Sequence, residues 1–306
     1  MTPLSPDALL SGPRGRRLCF HLVSTQLPWY AHDNSSDQPI HDVVSAWQGV
    51  TLPAITGEVL TLALADAATT GRYWQPPDET DVLLARPEMA EALHRIAQHV
   101  CHQVPAWWTE MARDLVRVDF EGVPKPGPPD MLAWGVVSGA WWMTPGTGSG
   151  VLTRMLPGIG PLGAYLVEDP MDWPTAEVFP ATPTPRSVLE LDEAVLVDLC
   201  REHPIDVTLS KRGDWYRATG LDTTWVIPDW SRVAADWDAV HLPITTWLAC
   251  AGRPLIVREG VHTLIAGWNP DATFLLRGVV TLGSAGRWAR DHDSRGWVPA
   301  ITTLSD

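Results

Sequence analysis

Val240-His241-Leu242-Pro243-Ile244, Leu255-Ile256-Val257, Thr263-Leu264-Ile265-Ala266-Gly267 and Thr273-Phe274-Leu275-Leu276 are the runs whose reading decides the fold. Each is short, apolar and rich in β-branched residues. Short strands in quick succession with turns between them, such as Asn269-Pro270-Asp271, predict a mixed or antiparallel sheet rather than a doubly wound parallel one.

Upstream, Ser187–Leu191 and Ile205–Leu209 read as strands around a helix over 192–202 that Asp192 caps, a β-α-β run. Trp215–Arg217 and Thr224–Ile227 read as short extended segments. A helix follows from Asp229 to about Asp236, with Asp229 as its cap. Leu162 to Asp169 reads as a strand ending in two carboxylates.

The pattern ahead of residue 122 is helical. Ser5-Pro6-Asp7 starts a helix, Gly12-Pro13 breaks it, and Arg16–Ser24 continues with Leu18, Cys19 and Leu22 on one face. Val43, Val44 and Trp47, then Val59 to Leu64, recur at helix spacing. Further helices are expected from Pro87 to about His102, and from Pro105 through Trp107, Trp108, Met111 and Leu115. Residues 122–129 are too rich in proline and glycine for helix or central strand. After them, Trp134 to Trp142 has the mixture of short strands. The expected fold class is therefore α+β. It comprises a mostly helical N-terminal region over 1–121, a linker over 122–130 and an α+β C-terminal domain with short helices over 131–306.

Composition narrows the function. The chain has 306 residues, 45% hydrophobic, enough for a substantial core. Its net charge is −14, which repels phosphate backbones and disfavours nucleic acid as a partner. Arg14, Arg16 and Arg17 form the one dense basic patch, read as a solvated helix start. Only Lys125 and Lys211 are lysine, a bias that points to a GC-rich bacterial genome. Tryptophan, at 17, outnumbers phenylalanine and tyrosine together, so some of these rings should line pockets or surfaces. No 18-residue apolar run occurs, so no membrane span is expected and the protein is read as cytoplasmic. Cys19, Cys101, Cys200 and Cys250 lack Cys-x-x-Cys spacing and read as buried thiols.

Motif by motif, the common chemistries are missing. Glu91, His94 and His102 share a helix face, but no second Glu-x-x-His completes a di-iron set, and a hydrated face is the reading. The glycines of 146–150 and 157–161 fit neither a Walker loop nor a dinucleotide fingerprint and read as turns. No Gly-x-Ser-x-Gly elbow or His-Glu-x-x-His pair is present.

Candidates remain among the tryptophan and carboxylate pairs. Extended, Asp214-Trp215-Tyr216-Arg217 would place Trp215 and Arg217 together as a stacking ledge, or simply as a stacked pair on a sheet. Asp238 and His241 point to opposite sides of a strand. His241 is then a lone acid or base, or a histidine bonded to a carbonyl. Trp268 anchors the turn after it.

One set of segments carries a resemblance: Trp141-Trp142-Met143-Thr144-Pro145, Val167-Glu168-Asp169, Val188-Leu189-Glu190-Leu191, Asp229 to Ala234, Trp237-Asp238-Ala239-Val240-His241 and Gly267-Trp268-Asn269-Pro270-Asp271. Over residues 131–280 the chain resembles uncharacterised bacterial proteins whose C-terminal halves are similar to the ADP-ribosyltransferase-like fold. The resemblance implies a split antiparallel sheet that binds NAD in a cleft, with a glutamate positioning the acceptor. Glu168 matches that role first and Glu259 second. The family's Arg…Ser-Thr-Ser…Glu-x-Glu set is absent, so an inactive or repurposed copy stands beside an enzyme. Two functions follow. One is an enzyme on a nucleotide-like ligand such as NAD, held by Trp142, Arg154, Asp214, Trp215 and Arg217, with Glu168 stabilising charge and His241 moving protons. The other is a non-catalytic module that binds a protein through an acidic, tryptophan-rich surface.

Overall fold

Capped helix starts build the N-terminal layer. The Ser5 hydroxyl accepts the Ala8 N–H at 3.1 Å to begin α1 (Pro6–Ser11), with Pro6 in the first turn. Gly12 turns the chain and α2 (Pro13–Val23) begins on Pro13. A Cβ at Gly12 would lie 2.6 Å from the Ala249 carbonyl oxygen, and one at Gly15 only 1.7 Å from that of Leu9. Glycine at both positions lets this corner close onto its neighbours. Next come α3 (Ile40–Gly49), α4 (Gly57–Thr69, capped by Thr56), α5 (Glu79–Leu84, capped by Asp78) and α6 (Ala90–Cys101). On α6, Leu93, Ile96, Ala97 and Val100 are buried at helical spacing.

This computed structural model describes residues 4–35, 37–110, 112, 114–122, 139–146, 151–168, 170, 173–182, 185–277, 280–291 and 293–300. The expected linker beyond Gly122, the strand reading over 134–138, Met111, Asp169 and the turn at 147–150 lie outside these residues.

The large sheet begins earlier than the periodicity suggested. Instead of a helix from Pro105 to Leu115, a single 3-10 turn at Ala106–Trp108 leads into β1 (Leu115–Phe120). The sequence Leu-Val-Arg-Val-Asp-Phe alternates with period two and is rich in valine, which favours a strand. β1 lies between β2 (Val151–Leu156) and β4 (Thr175–Thr182), antiparallel to both, with β3 (Gly160–Pro161) pairing β2. The sheet is extended by β5 (Val188–Glu190), β8 (Ala239–His241), β11 (Thr273–Leu275), β12 (Thr281–Leu282), β13 (Gly286–Arg290) and β14 (Trp297–Pro299). Its order is β14-β13-β4-β1-β2-β11-β8-β5, with β12 beside β4. A smaller sheet runs β6 (Pro204–Asp206), β7 (Thr224–Pro228), β10 (Val261–Thr263), β9 (Leu255–Arg258). Parallel pairs (β5 with β8, β7 with β10) sit among antiparallel ones, so the sheets are mixed. The fold is α+β.

Three local readings are corrected. Leu162–Ala164 is a 3-10 turn, not a strand, where Gly163 packs so closely that a Cβ would meet Thr153 at 2.8 Å. Trp215–Arg217 belongs to α8 (Thr208–Thr219), which ends at Gly220 in the left-handed conformation, φ 71°. The helix α7 (Glu193–Glu202) does follow its Asp192 cap, but β5 and β6 on either side of it belong to different sheets.

α9 (Trp230–Asp236) is capped by Asp229, as its sequence indicates. α10 (Ile244–Cys250) lies between the helical layer and the sheets. It packs on α1 and α2, and Ile244, Trp247 and Leu248 join Leu18, Val23 and Leu64 in one continuous core. Each such side chain contributes about 1.5–3 kcal/mol by leaving water.

Candidate functional site

The sheet brings four charged side chains into one line, three of them buried and Glu190 half-buried at its end. β2 carries Arg154, β8 carries His241, β5 carries Glu190, and the turn before β11 carries Asp271. Arg154 donates from Nε to the two Asp271 oxygens at 2.8 and 2.9 Å, and its Nη2 lies 2.7 Å from one of them as an ion pair. Its Nη2 also donates to the Glu110 carbonyl at 3.0 Å. His241 bonds Glu190 through Nδ1 at 2.6 Å and Asp271 through Nε2 at 3.3 Å. Burial alone would lower the His241 pKa, but the two carboxylates outweigh it and raise it to about 9. Burial likewise works against the Asp271 charge, yet His241 and Arg154 hold its pKa below the ordinary carboxylate value. His241 is thus neither a lone base nor bonded to a carbonyl; it is a cation locked between acids. Asp238 faces elsewhere, accepting the Arg186 and Ser187 N–H groups and pairing with Arg277.

Glu168 stands in a second cluster. Its Oε1 accepts the Trp247 indole N–H at 3.2 Å, and its own backbone N–H donates to Asn269 at 3.1 Å. Burial raises its pKa to about 7, against the neighbouring Tyr73 hydroxyl, the Trp247 hydrogen bond and the charge of Arg14. The 269–271 turn therefore serves both clusters, through Asn269 here and Asp271 above. Trp268 is buried and donates to the Ala272 carbonyl, holding that turn. Glu259 is exposed in the turn between β9 and β10.

α8 gathers the third cluster. Lys211, Asp214 and Trp215 lie on its buried side. Asp214 accepts the Gly139 N–H at 2.6 Å and pairs with Arg217 one turn away, also at 2.6 Å. Arg217 donates from Nε to the Trp74 carbonyl at 3.0 Å. Lys211 donates to the Ala140 carbonyl at 2.5 Å with the Trp142 and Trp215 rings 5.7 and 5.8 Å from its ammonium. Burial lowers the Lys211 pKa to about 8, with Asp214 opposing. Trp215 is fully buried against Trp225 and donates to the Trp141 carbonyl at 2.7 Å. A ledge of Trp215 beside Arg217 does not form, because helical spacing puts the first inside and the second at the surface. Trp142, Asp214, Trp215 and Arg217 do share one neighbourhood, apart from Arg154 and His241.

Sequence reasoning missed one concave feature. A cleft of about 570 Å³ opens between the N-terminal layer and the α8 and α10 ends. Arg14, Arg16, Arg72, Arg86 and Arg253 line it, with Tyr73, Asp81, several prolines, Val82 and Ala218. The patch read as a solvated helix start is largely interior: Arg14 and Arg17 are buried and share Asp81, at 3.0 and 2.7 Å, and Arg17 also pairs with Asp78. The Tyr73 ring lines the cleft and its hydroxyl is buried beside Glu168, so burial and that carboxylate push its pKa well up. The sequence signal was present in Arg14 and Arg16, but their cleft partners come from distant segments.

Comparison with protein-family models, with curated proteins and with solved structures finds no match. Among the described residues no helix is long and apolar enough to cross a membrane, and no group of three or more His, Cys, Asp or Glu side chains could hold a metal. The four cysteines are free, and burial raises each thiol above its ordinary pKa.

Proposed function

We propose that the protein binds a small, nucleotide-like anionic ligand, such as NAD, in the arginine-lined cleft. One observation carries this reading: five arginines line a single cleft in a chain of net charge −14. A volume of about 570 Å³ falls in the range of small-molecule sites. Guanidinium groups are suited to phosphate by shape as well as charge. Glu168, His241 and Arg154 do not line the cleft, and Glu168 stands behind Tyr73, so binding is better supported than bond-making. The tryptophan-rich protein-binding surface has less support. Of the described tryptophans, most are buried or half-buried, and Trp29, at 76% exposure, stands out from them.

The test is calorimetric titration of the full chain with NAD and ADP, beside an Ala218→Trp variant that fills the cleft. Binding that weakens with salt and is lost in the variant is expected. No binding heat and no rise in melting temperature with either nucleotide would sink the reading. Release of nicotinamide from NAD, followed in the same samples, would add transferase or glycohydrolase chemistry and return attention to Glu168.

A further inference from the structure

The cleft distributes its charge in a way that bears on what it reads. Its arginines come from separate segments: Arg14 and Arg16 from α2, Arg72 after α4, Arg86 after α5 and Arg253 after α10. Some are already paired, Arg14 with Asp81, Arg86 with Glu88 and Arg253 with Glu193. A guanidinium has five N–H donors, so one ion pair does not exhaust it. Arg16 uses Nη1 on the Leu10 carbonyl, and Arg253 uses Nε on the Ala249 carbonyl and Nη2 on Glu193 and the Cys250 sulfur. Arg16 Nη2 and Arg253 Nη1 have no acceptor among the described residues, and neither is sealed from solvent. Donors spaced around a mouth in this way suit an anion with several charged oxygens better than a single carboxylate.

Groups that would distinguish one base from another are scarce. The Ser11 hydroxyl is bonded to the Ala8 and Ala249 carbonyls, and the Thr219 hydroxyl to the Trp215 carbonyl and the Leu221 N–H. Asp81 is held by Arg14 and Arg17. What remains for the rest of the ligand is the Tyr73 ring, apolar walls that take any flat group, and the side-chain amide of Gln75, which can both donate and accept and so selects no single base.

We infer that the cleft is a diphosphate site: it recognises the linked phosphates of a small molecule and is permissive toward the base attached to them. This inference rests on the ligand reading above and narrows it to a class, nucleoside diphosphates and their derivatives, with inorganic diphosphate as the minimal ligand.

The experiment is competition against a fluorescent ADP on the full chain, using ADP, GDP, UDP, AMP, NAD, adenosine and inorganic diphosphate. ADP, GDP and UDP should compete within about threefold of one another. AMP should be about tenfold weaker, the equivalent of one lost charge-assisted contact. Inorganic diphosphate should compete and adenosine should not. Arg16→Gln and Arg253→Gln should each weaken ADP by about tenfold while the melting curve shows a folded protein. If Arg253→Gln unfolds, Arg16→Gln alone decides. Adenosine competing as well as ADP, or a preference above tenfold for one base, overturns the inference and leaves the ligand reading standing. Inorganic diphosphate binding without any nucleotide keeps the diphosphate site and removes the nucleotide. Binding of none of them ends both.

Discussion

Asp271 grips Arg154 with both oxygens from a backbone position in the left-handed region, φ 61°, where few residues other than glycine and asparagine sit comfortably. Both side chains are almost wholly out of water. Asp271→Asn keeps a residue suited to that backbone but strands two cations, Arg154 and His241. It is expected to cost about 3–5 kcal/mol, read as a lower urea midpoint with little change in slope. Arg154→Met combined with Asp271→Asn should cost less than the two single losses added together.

His241 makes stability depend on alkaline pH. Its folded pKa, about 9, lies above the ordinary 6.5, so the folded chain holds that proton more tightly than the unfolded one. The contribution is fully present below about 6.5 and is lost as pH rises through 9. Denaturation midpoints should therefore fall across this window, and His241→Gln should flatten the fall. An unchanged slope in the variant would assign the effect elsewhere.

Glu168 acts with the same sign at lower pH. Its pKa rises from 4.5 to about 7, so its contribution is complete below 4.5 and is lost as pH rises through 7. Glu168→Gln keeps an acceptor for the Trp247 indole and removes the buried charge. The variant should gain about 1 kcal/mol on wild type at pH 8 relative to pH 5, discounted for the part of the residue open to water. Thermal melts of the two proteins at both pH values check this.

Two glycines predict opposite outcomes. Gly12→Ala would push a methyl to 2.6 Å from the Ala249 carbonyl and is expected to destabilise by about 1–3 kcal/mol. Gly49→Ala, at the end of α3 with open space around it, should be neutral or stabilise by up to about 1 kcal/mol. Chemical denaturation of the pair separates close packing from backbone freedom.

Legibility followed the range of the forces involved. Ser5, Asp192 and Asp229 were readable as caps because each bonds an N–H two or three residues away. The succession of short strands gave the α+β class for the same local reason. α8 was not readable, because its buried side carries Lys211 and Asp214 where an apolar stripe would be expected. The interior arginines were misread because their carboxylate partners, Asp78 and Asp81, lie 61 to 67 positions along the chain. The cleft has no local motif at all, being assembled from segments that only the packing of α1 and α2 on α10 brings together.

The placement of β1 has a consequence for the history of the chain. The helical layer ends in a strand that sits inside the large sheet, bonded on one side to β2 and on the other to β4. A break in the connection after Gly122 would leave each fragment holding a part of the other's interior. The fragments should associate when mixed and fail to fold apart, as a gel-filtration and circular-dichroism comparison would show. Recombination that moved either half alone would deliver an unfinished structure.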